Sequence, residues 1–116
     1  MDKESLFQLG TSYKESNFLN KAIETYSVII SLQPDYPDAY FERGYCYGEM
    51  GLFPQAKADM DASIQYQPQH GLSYFYRGRA YEALGNIKLA CTDYRKAQEL
   101  GVKAVESYIQ QKCSTQ

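Results

Sequence analysis

At 116 residues, with 44% hydrophobic and 22% charged residues, the chain has the size and composition of one globular domain, which argues against intrinsic disorder. Twelve basic against 14 acidic residues leave a formal net charge of −2, so there is no electrostatic footprint for nucleic acid or for an acidic membrane surface. The longest apolar runs, such as Val28-Ile29-Ile30, are far too short to span a bilayer, and Met1-Asp2-Lys3-Glu4-Ser5 lacks the apolar core of a signal peptide, so the expectation is a soluble, cytoplasmic chain.

In chain order, helices are predicted near 3–16 and 19–32, then 37–50 and 53–66, then 71–84 and 87–99. Asn17, Gly51 and Gly85 stand where a left-handed residue ends the first helix of each pair and turns the chain. Pro34 and Pro68, without an amide donor, end the second helix of the first two pairs. Pro54 sits in the first turn of its helix, where no bond is lost. The third pair departs from this pattern, with Gly101 followed by Val102 in place of proline. Beyond it, Val102, Val105, Tyr108 and Ile109 recur on one helical face while Gln110, Gln111 and Lys112 keep the other polar, which predicts a helix to about residue 113.

The three pairs are copies of one unit. Gly10, Gly44 and Gly78 are spaced by 34 residues, and so are Phe7, Phe41 and Phe75, then Tyr13, Tyr47 and Tyr81, then Ala22, Ala56 and Ala90. Counting each unit from Lys3, Pro37 and Gly71, apolar residues at positions 4, 11, 20, 24 and 28 give each segment one apolar face. Small residues at positions 8 and 20 mark where the two helices of a pair cross closely. A stack of such units buries its apolar face only against neighbours, so the last helix reads as a half-polar cap. No matching cap precedes unit 1, whose outer face is expected to be exposed or to meet another molecule.

These columns resemble the tetratricopeptide repeat. Unit 1 reads Leu6-x2-Leu9-Gly10-x2-Tyr13, then Ala22-x3-Tyr26, then Pro34; unit 2 reads Tyr40-x2-Arg43-Gly44-x2-Tyr47, then Ala56-x3-Met60, then Pro68; unit 3 reads Tyr74-x2-Arg77-Gly78-x2-Tyr81, then Ala90-x3-Tyr94. The resemblance covers residues 3–104. It implies an all-α fold, a right-handed α-α superhelix, in which residues 1–116 form one domain: repeats at 3–36, 37–70 and 71–104 and a capping helix at about 102–113. It further implies a concave groove, lined by the first helix of each repeat, that receives a peptide or protein segment.

By that resemblance, positions 2, 5, 6, 9, 12 and 13 line the groove, which selects among others Phe7, Gln8, Thr11, Phe41, Glu42, Tyr45, Glu49, Phe75, Tyr76, Arg79 and Glu82. Phe7, Phe41 and Phe75 form an aromatic row that reads equally as groove or as core between repeats. Tyr45, Tyr76 and Arg79 gain nothing obvious from packing and are the stronger candidates, since aromatics and arginine dominate binding hot spots. Some members of the family clamp acidic C-terminal tails with lysine, asparagine, asparagine, lysine and arginine. The matching positions here hold Phe7, Thr11, Glu42, Leu72 and Tyr76, so the clamp is absent. With Glu42 and Glu49 facing inward, the groove should prefer neutral, apolar or basic segments.

Position 7 changes from Leu9 to Arg43 and Arg77, and position 23 changes with it, from Thr25 to Asp59 and Asp93, which predicts an ion pair across each of the last two helix pairs. Enzymatic chemistry has little to work with. His70, the sole histidine, falls near a turn and reads as solvated, and there is no Gly-rich phosphate loop, Ser–His pair or metal cluster, so neither catalytic residues, metal nor cofactor is expected. Cys46, Cys91 and Cys113 read as buried free thiols, or as a Cys91–Cys113 bridge if the last two helices pack antiparallel about Gly101. The alternative to a peptide adaptor is a structural role: a homodimer, or one segment of a longer solenoid.

Overall fold

The computed structural model describes residues 1–113, which form seven α-helices and no strand: α1 Lys3–Glu15, α2 Leu19–Leu32, α3 Pro37–Glu49, α4 Phe53–Tyr66, α5 Gly71–Ala83, α6 Ile87–Glu99 and α7 Val105–Lys112. Each helix packs on the next in the chain, and α1 also meets α3 as α3 meets α5. The result is an elongated stack, 50 × 25 × 21 Å, with the odd-numbered helices along one side.

Local chemistry sets the helix ends. Asp2 caps α1 by accepting from Ser5 N–H at 2.7 Å, Asn86 caps α6 by accepting from Leu89 N–H at 3.1 Å, and Pro37 and Pro54 occupy first turns. After α1, α3 and α5 the chain reverses through one motif. Asn17, Gly51 and Gly85 take φ values of 64°, 76° and 86°, and the next amide (Phe18, Leu52, Asn86) donates back to the carbonyl of Tyr13, Tyr47 or Tyr81.

The same motif recurs after α6, where Gly101 has φ 94° and Val102 N–H donates to Ala97 C=O. It holds 100–104 as a turn, so the last helix begins at Val105 rather than near 102. That start lies one 34-residue period after Gly71. Val102 is therefore not on the capping helix. Its Cγ2 packs on Gly71, close enough that a Cβ at Gly71 would lie 2.7 Å from it.

The apolar core has two centres. One gathers Ala22, Tyr26, Ile29, Ala39 and Cys46; the other gathers Phe75, Ala90, Cys91, Tyr94, Ala97, Val105 and Cys113. The small position-8 residue is what lets each aromatic in: a Cβ on Gly78 would lie 2.6 Å from the Tyr94 ring. A polar contact crosses each of the last two helix pairs. Arg43 Nε and Nη2 donate to Asp59 at 2.9 and 2.8 Å, and Arg77 repeats the arrangement with Asp93 at 2.8 and 2.8 Å, so the matched change at positions 7 and 23 is an ion pair in both repeats. Each arginine also reaches back one repeat, Arg43 Nη1 to Ser27 Oγ and Arg77 Nη1 to Asp61 Oδ1, both at 3.0 Å. The pair thus ties neighbouring repeats as well as its own two helices.

Candidate peptide-binding groove

The groove candidates on α1, α3 and α5 fall into three groups. At the first repeat, Phe7 is half-buried against Tyr26 and Tyr36, with ring centroids 5.6 and 5.9 Å apart. Thr11 Oγ1 shares a 3.0 Å hydrogen bond with the Tyr26 hydroxyl, and Gln8 is exposed. Lys14 Nζ donates to Glu42 at 2.7 Å and lies 5.4 Å from the centre of the Tyr45 ring. Burial is the largest single influence and works against the Lys14 charge, but the bond to Glu42 and the attraction of that carboxylate and its neighbours together outweigh it and raise the ammonium pKa. Glu42 is therefore neutralised in place and adds little negative character.

The middle group is continuous. Tyr76 meets Phe41 at 5.8 Å and Tyr45 at 5.4 Å, both edge-on, and Arg79 lies 5.8 Å from the Tyr76 ring centre. Burial pushes the Tyr76 phenol up, so it stays protonated. Among the described residues neither Glu49 nor Arg79 has an ion-pair partner, and both are exposed. Tyr45, Tyr76 and Arg79 come together as one cluster, flanked by Glu49.

At the third repeat the row withdraws. Phe75 is 6% exposed, covered by Tyr76 at 5.0 Å and by Tyr108 of α7 at 5.2 Å. Glu82 accepts from the Tyr94 hydroxyl and from Lys112 Nζ, which fastens α7 across the end of α5. Phe75 is thus core, while Phe7 and Phe41 straddle core and surface.

A small pocket of about 60 Å³ opens among Tyr45, Gly48, Met60 and Tyr76, with Glu49 and Arg79 at its edge. A shallower hollow of about 330 Å³ continues toward α7, lined by Phe53, Arg79, Glu82, Ala83 and Tyr108. Lys14 and Gly48 hold position 12, one of the groove positions that the resemblance implies, and Met60 stands in the apolar column at position 24. Across the three repeats position 12 holds Lys14, Gly48 and Glu82, and position 24 holds Tyr26, Met60 and Tyr94.

His70 differs from the solvated residue that its turn position predicts. Its ring stacks edge-on to Phe41 at 4.8 Å, and its Nδ1 shares a 2.7 Å hydrogen bond with Ser73 Oγ, which lies 2.8 Å from Ser63 Oγ. A Ser–His pair therefore does form, but Ser63 and Ser73 are fully buried, so no substrate reaches the hydroxyl. The three side chains link α4 to α5. Among the described residues no group of three His, Cys, Asp or Glu is placed to hold a metal ion, and no helix is long and apolar enough to cross a membrane.

Cys91 and Cys113 are bonded, Sγ to Sγ, which joins α6 to the end of α7. Cys46 is a buried free thiol, its pKa pushed up to about 11 by burial.

Two models of the tetratricopeptide repeat match the chain, one over residues 10–51 and one over 47–104. Among curated proteins no sequence match was found. Among solved structures, the first such domain of Spaghetti (RPAP3) bound to the HSP90 peptide SRMEEVD superposes with a TM-score of 0.92 at 21% identity, covering 97% of this chain and 91% of that one. The OM64 domain from Arabidopsis gives 0.92 at 25% identity, covering 96% and 93%. MamA gives 0.81 at 28% identity, covering 85% of this chain and 58% of that one.

Proposed function

Because the chain belongs to the tetratricopeptide repeat family, we propose that it is a non-catalytic adaptor that receives an extended peptide or protein segment along α1, α3 and α5. One observation carries the reading: Tyr45, Tyr76 and Arg79 form a contiguous, partly exposed cluster in the middle of that face. Tyrosine and arginine supply contact area and hydrogen bonds at low entropic cost, as central interface residues do. The ligand differs from the acidic tail on the Spaghetti domain. Phe7, Thr11, Glu42, Leu72 and Tyr76 stand where a carboxylate clamp would need cations and amides. Lys14, the nearest candidate replacement, is engaged by Glu42.

The test is a comparison of wild type with a Tyr45→Ala/Tyr76→Ala/Arg79→Ala variant in a pull-down and in fluorescence polarisation with the partners recovered. Selective loss of partners in the variant, with an unchanged circular dichroism spectrum, supports the groove. SRMEEVD is the negative control, with Kd weaker than about 1 mM. Binding of SRMEEVD near 1 µM would contradict the reading.

A structural role is the second reading, favoured by Phe18, Val28 and Leu32, large apolar side chains exposed on the first repeat. Val28 and Leu32 are one helical turn apart on α2. Sedimentation over a range of concentrations separates a dimer through this face from a monomeric adaptor.

A further inference from the structure

Resting on the groove reading, we infer that the pocket between repeats 2 and 3 is a specificity pocket for one branched aliphatic side chain, valine, leucine or isoleucine, of an extended peptide. That peptide carries a basic residue on the Glu49 side of the anchor and an acidic residue on the Arg79 side.

The pocket exists because repeat 2 breaks the pattern of its neighbours twice. At position 12 the outer repeats carry long side chains already in use: Lys14 pairs with Glu42 and lies over Tyr45, and Glu82 holds Lys112 and the Tyr94 hydroxyl. Repeat 2 has Gly48 there, with no side chain at all. At position 24 the outer repeats carry Tyr26 and Tyr94, whose hydroxyls reach Thr11 and Glu82. Repeat 2 has Met60, which is shorter and ends beside Gly44. Space that the outer repeats fill from both sides is left open in the middle one.

Nothing in the packing requires glycine at position 48. It lies in the helical part of α3, and a Cβ there would meet only the Ala56 Cβ, at 3.9 Å. Glycine inside a helix is less stable than alanine. The open space is thus maintained against helix stability, unlike the space at Gly78, which the Tyr94 ring fills.

Size and chemistry then select the occupant. Apart from Glu49 and Arg79, the walls are the Tyr45 and Tyr76 rings with Phe53, Ala56, Met60 and Ala80, so a polar side chain seated against them loses hydration. A dry cavity of about 150 Å³ holds benzene. At about 60 Å³ this pocket is too small for a ring and suits an isopropyl or isobutyl end. Glu49 on α3 and Arg79 on α5 are the charges at its edge, from opposite helices and of opposite sign, and both are left over from the ion pairs that occupy Glu42 and Glu82.

The experiment selects a random dodecapeptide display library on the full chain and resynthesises the binders with Gly, Ala, Val, Leu, Ile or Phe at the shared apolar position. Fluorescence polarisation then gives Kd for wild type, Gly48→Leu, Met60→Tyr, Glu49→Lys and Tyr45→Ala. Gly48→Leu fills the pocket from the groove side, and Met60→Tyr fills it from below with the residue that the other repeats carry. The expected result is restriction to Val, Leu or Ile, about 30-fold weaker binding with Gly or Phe, and a similar loss in both filled variants. Thirty-fold is about 2 kcal/mol, the scale of two or three buried methyl-sized groups. Glu49→Lys should turn the flanking preference from basic to acidic. Urea midpoints identify a filled variant that fails to fold, and the other filled variant then decides. Peptides that need Tyr45 but bind both filled variants like wild type overturn the pocket and leave the groove standing. A library yielding no peptide sensitive to Tyr45→Ala overturns both.

Discussion

Asp59→Ala strands the charge that the second repeat is built around. Arg43 loses two hydrogen bonds, at 2.9 and 2.8 Å, and keeps only Ser27 Oγ at 3.0 Å and the rings of Tyr40 and Tyr47, whose centres lie 5.9 and 5.7 Å away. The Asp59 side chain is 6% exposed and that of Arg43 20%, so water replaces the lost carboxylate only in part. Removing one partner of a fully buried pair costs about 3–5 kcal/mol, and the partial exposure of Arg43 lowers the expectation to about 2–3 kcal/mol. Repeat 1 shows how the same two positions are filled without charge, by Leu9 and by Thr25, whose Oγ1 donates to Lys21 C=O at 2.8 Å. Arg43→Leu/Asp59→Thr copies that solution into repeat 2 and leaves no charge stranded, so its stability should lie within about 1 kcal/mol of wild type. Urea unfolding followed by circular dichroism at pH 7 measures both, and in a chain of this size the single variant should melt about 8 °C lower. A double variant less stable than Asp59→Ala would refute the reasoning, because the pair would then contribute more than relief of its own desolvation.

Two glycine substitutions should have opposite signs. Gly78→Ala places a Cβ 2.6 Å from the Tyr94 ring and should cost about 1–3 kcal/mol, whereas Gly48→Ala meets only a 3.9 Å contact and should gain up to about 1 kcal/mol, both read from urea midpoints. Thiol titration of the unfolded, unreduced chain should find one thiol, Cys46; finding three would refute the bridge. Reduction should destabilise the α6–α7 end by about 3 kcal/mol, since the bridge spans 22 residues of sequence. At Glu82 burial raises the carboxyl, but the bonds from Lys112 and Tyr94 outweigh it and hold the pKa below the ordinary glutamate range. A lowered folded pKa means that this stabilisation is complete above the unfolded value, about 4.3, and is lost as pH falls through the folded one. Protection factors of the α7 amides, relative to the intrinsic exchange rate at each pH, should therefore fall on acidification from about pH 4.3 downward, and Glu82→Gln should flatten that dependence; identical profiles would exclude Glu82 as the fastening.

The sequence alone determined whatever the 34-residue period repeats. Helix ends, the left-handed turn at Asn17, Gly51 and Gly85, and the pairing of Arg43 with Asp59 are set within one unit, so three copies display them as columns that differ or agree together. Tertiary structure decided what depends on several side chains of different units meeting at once. Arg43 reaches Ser27 and Arg77 reaches Asp61 across repeat boundaries, His70 finds Ser73, and Glu42 is silenced by Lys14 from the preceding repeat. Phe75 occupies the same column as Phe41 yet is buried, because Tyr108 of the capping helix covers it where Phe41 has only His70 and Tyr76. Periodicity assigns equivalent backbone positions. Which of them stays open depends on the lengths of the side chains around it, and the space at Gly48 exists because that position has no side chain and Met60 is too short to fill it.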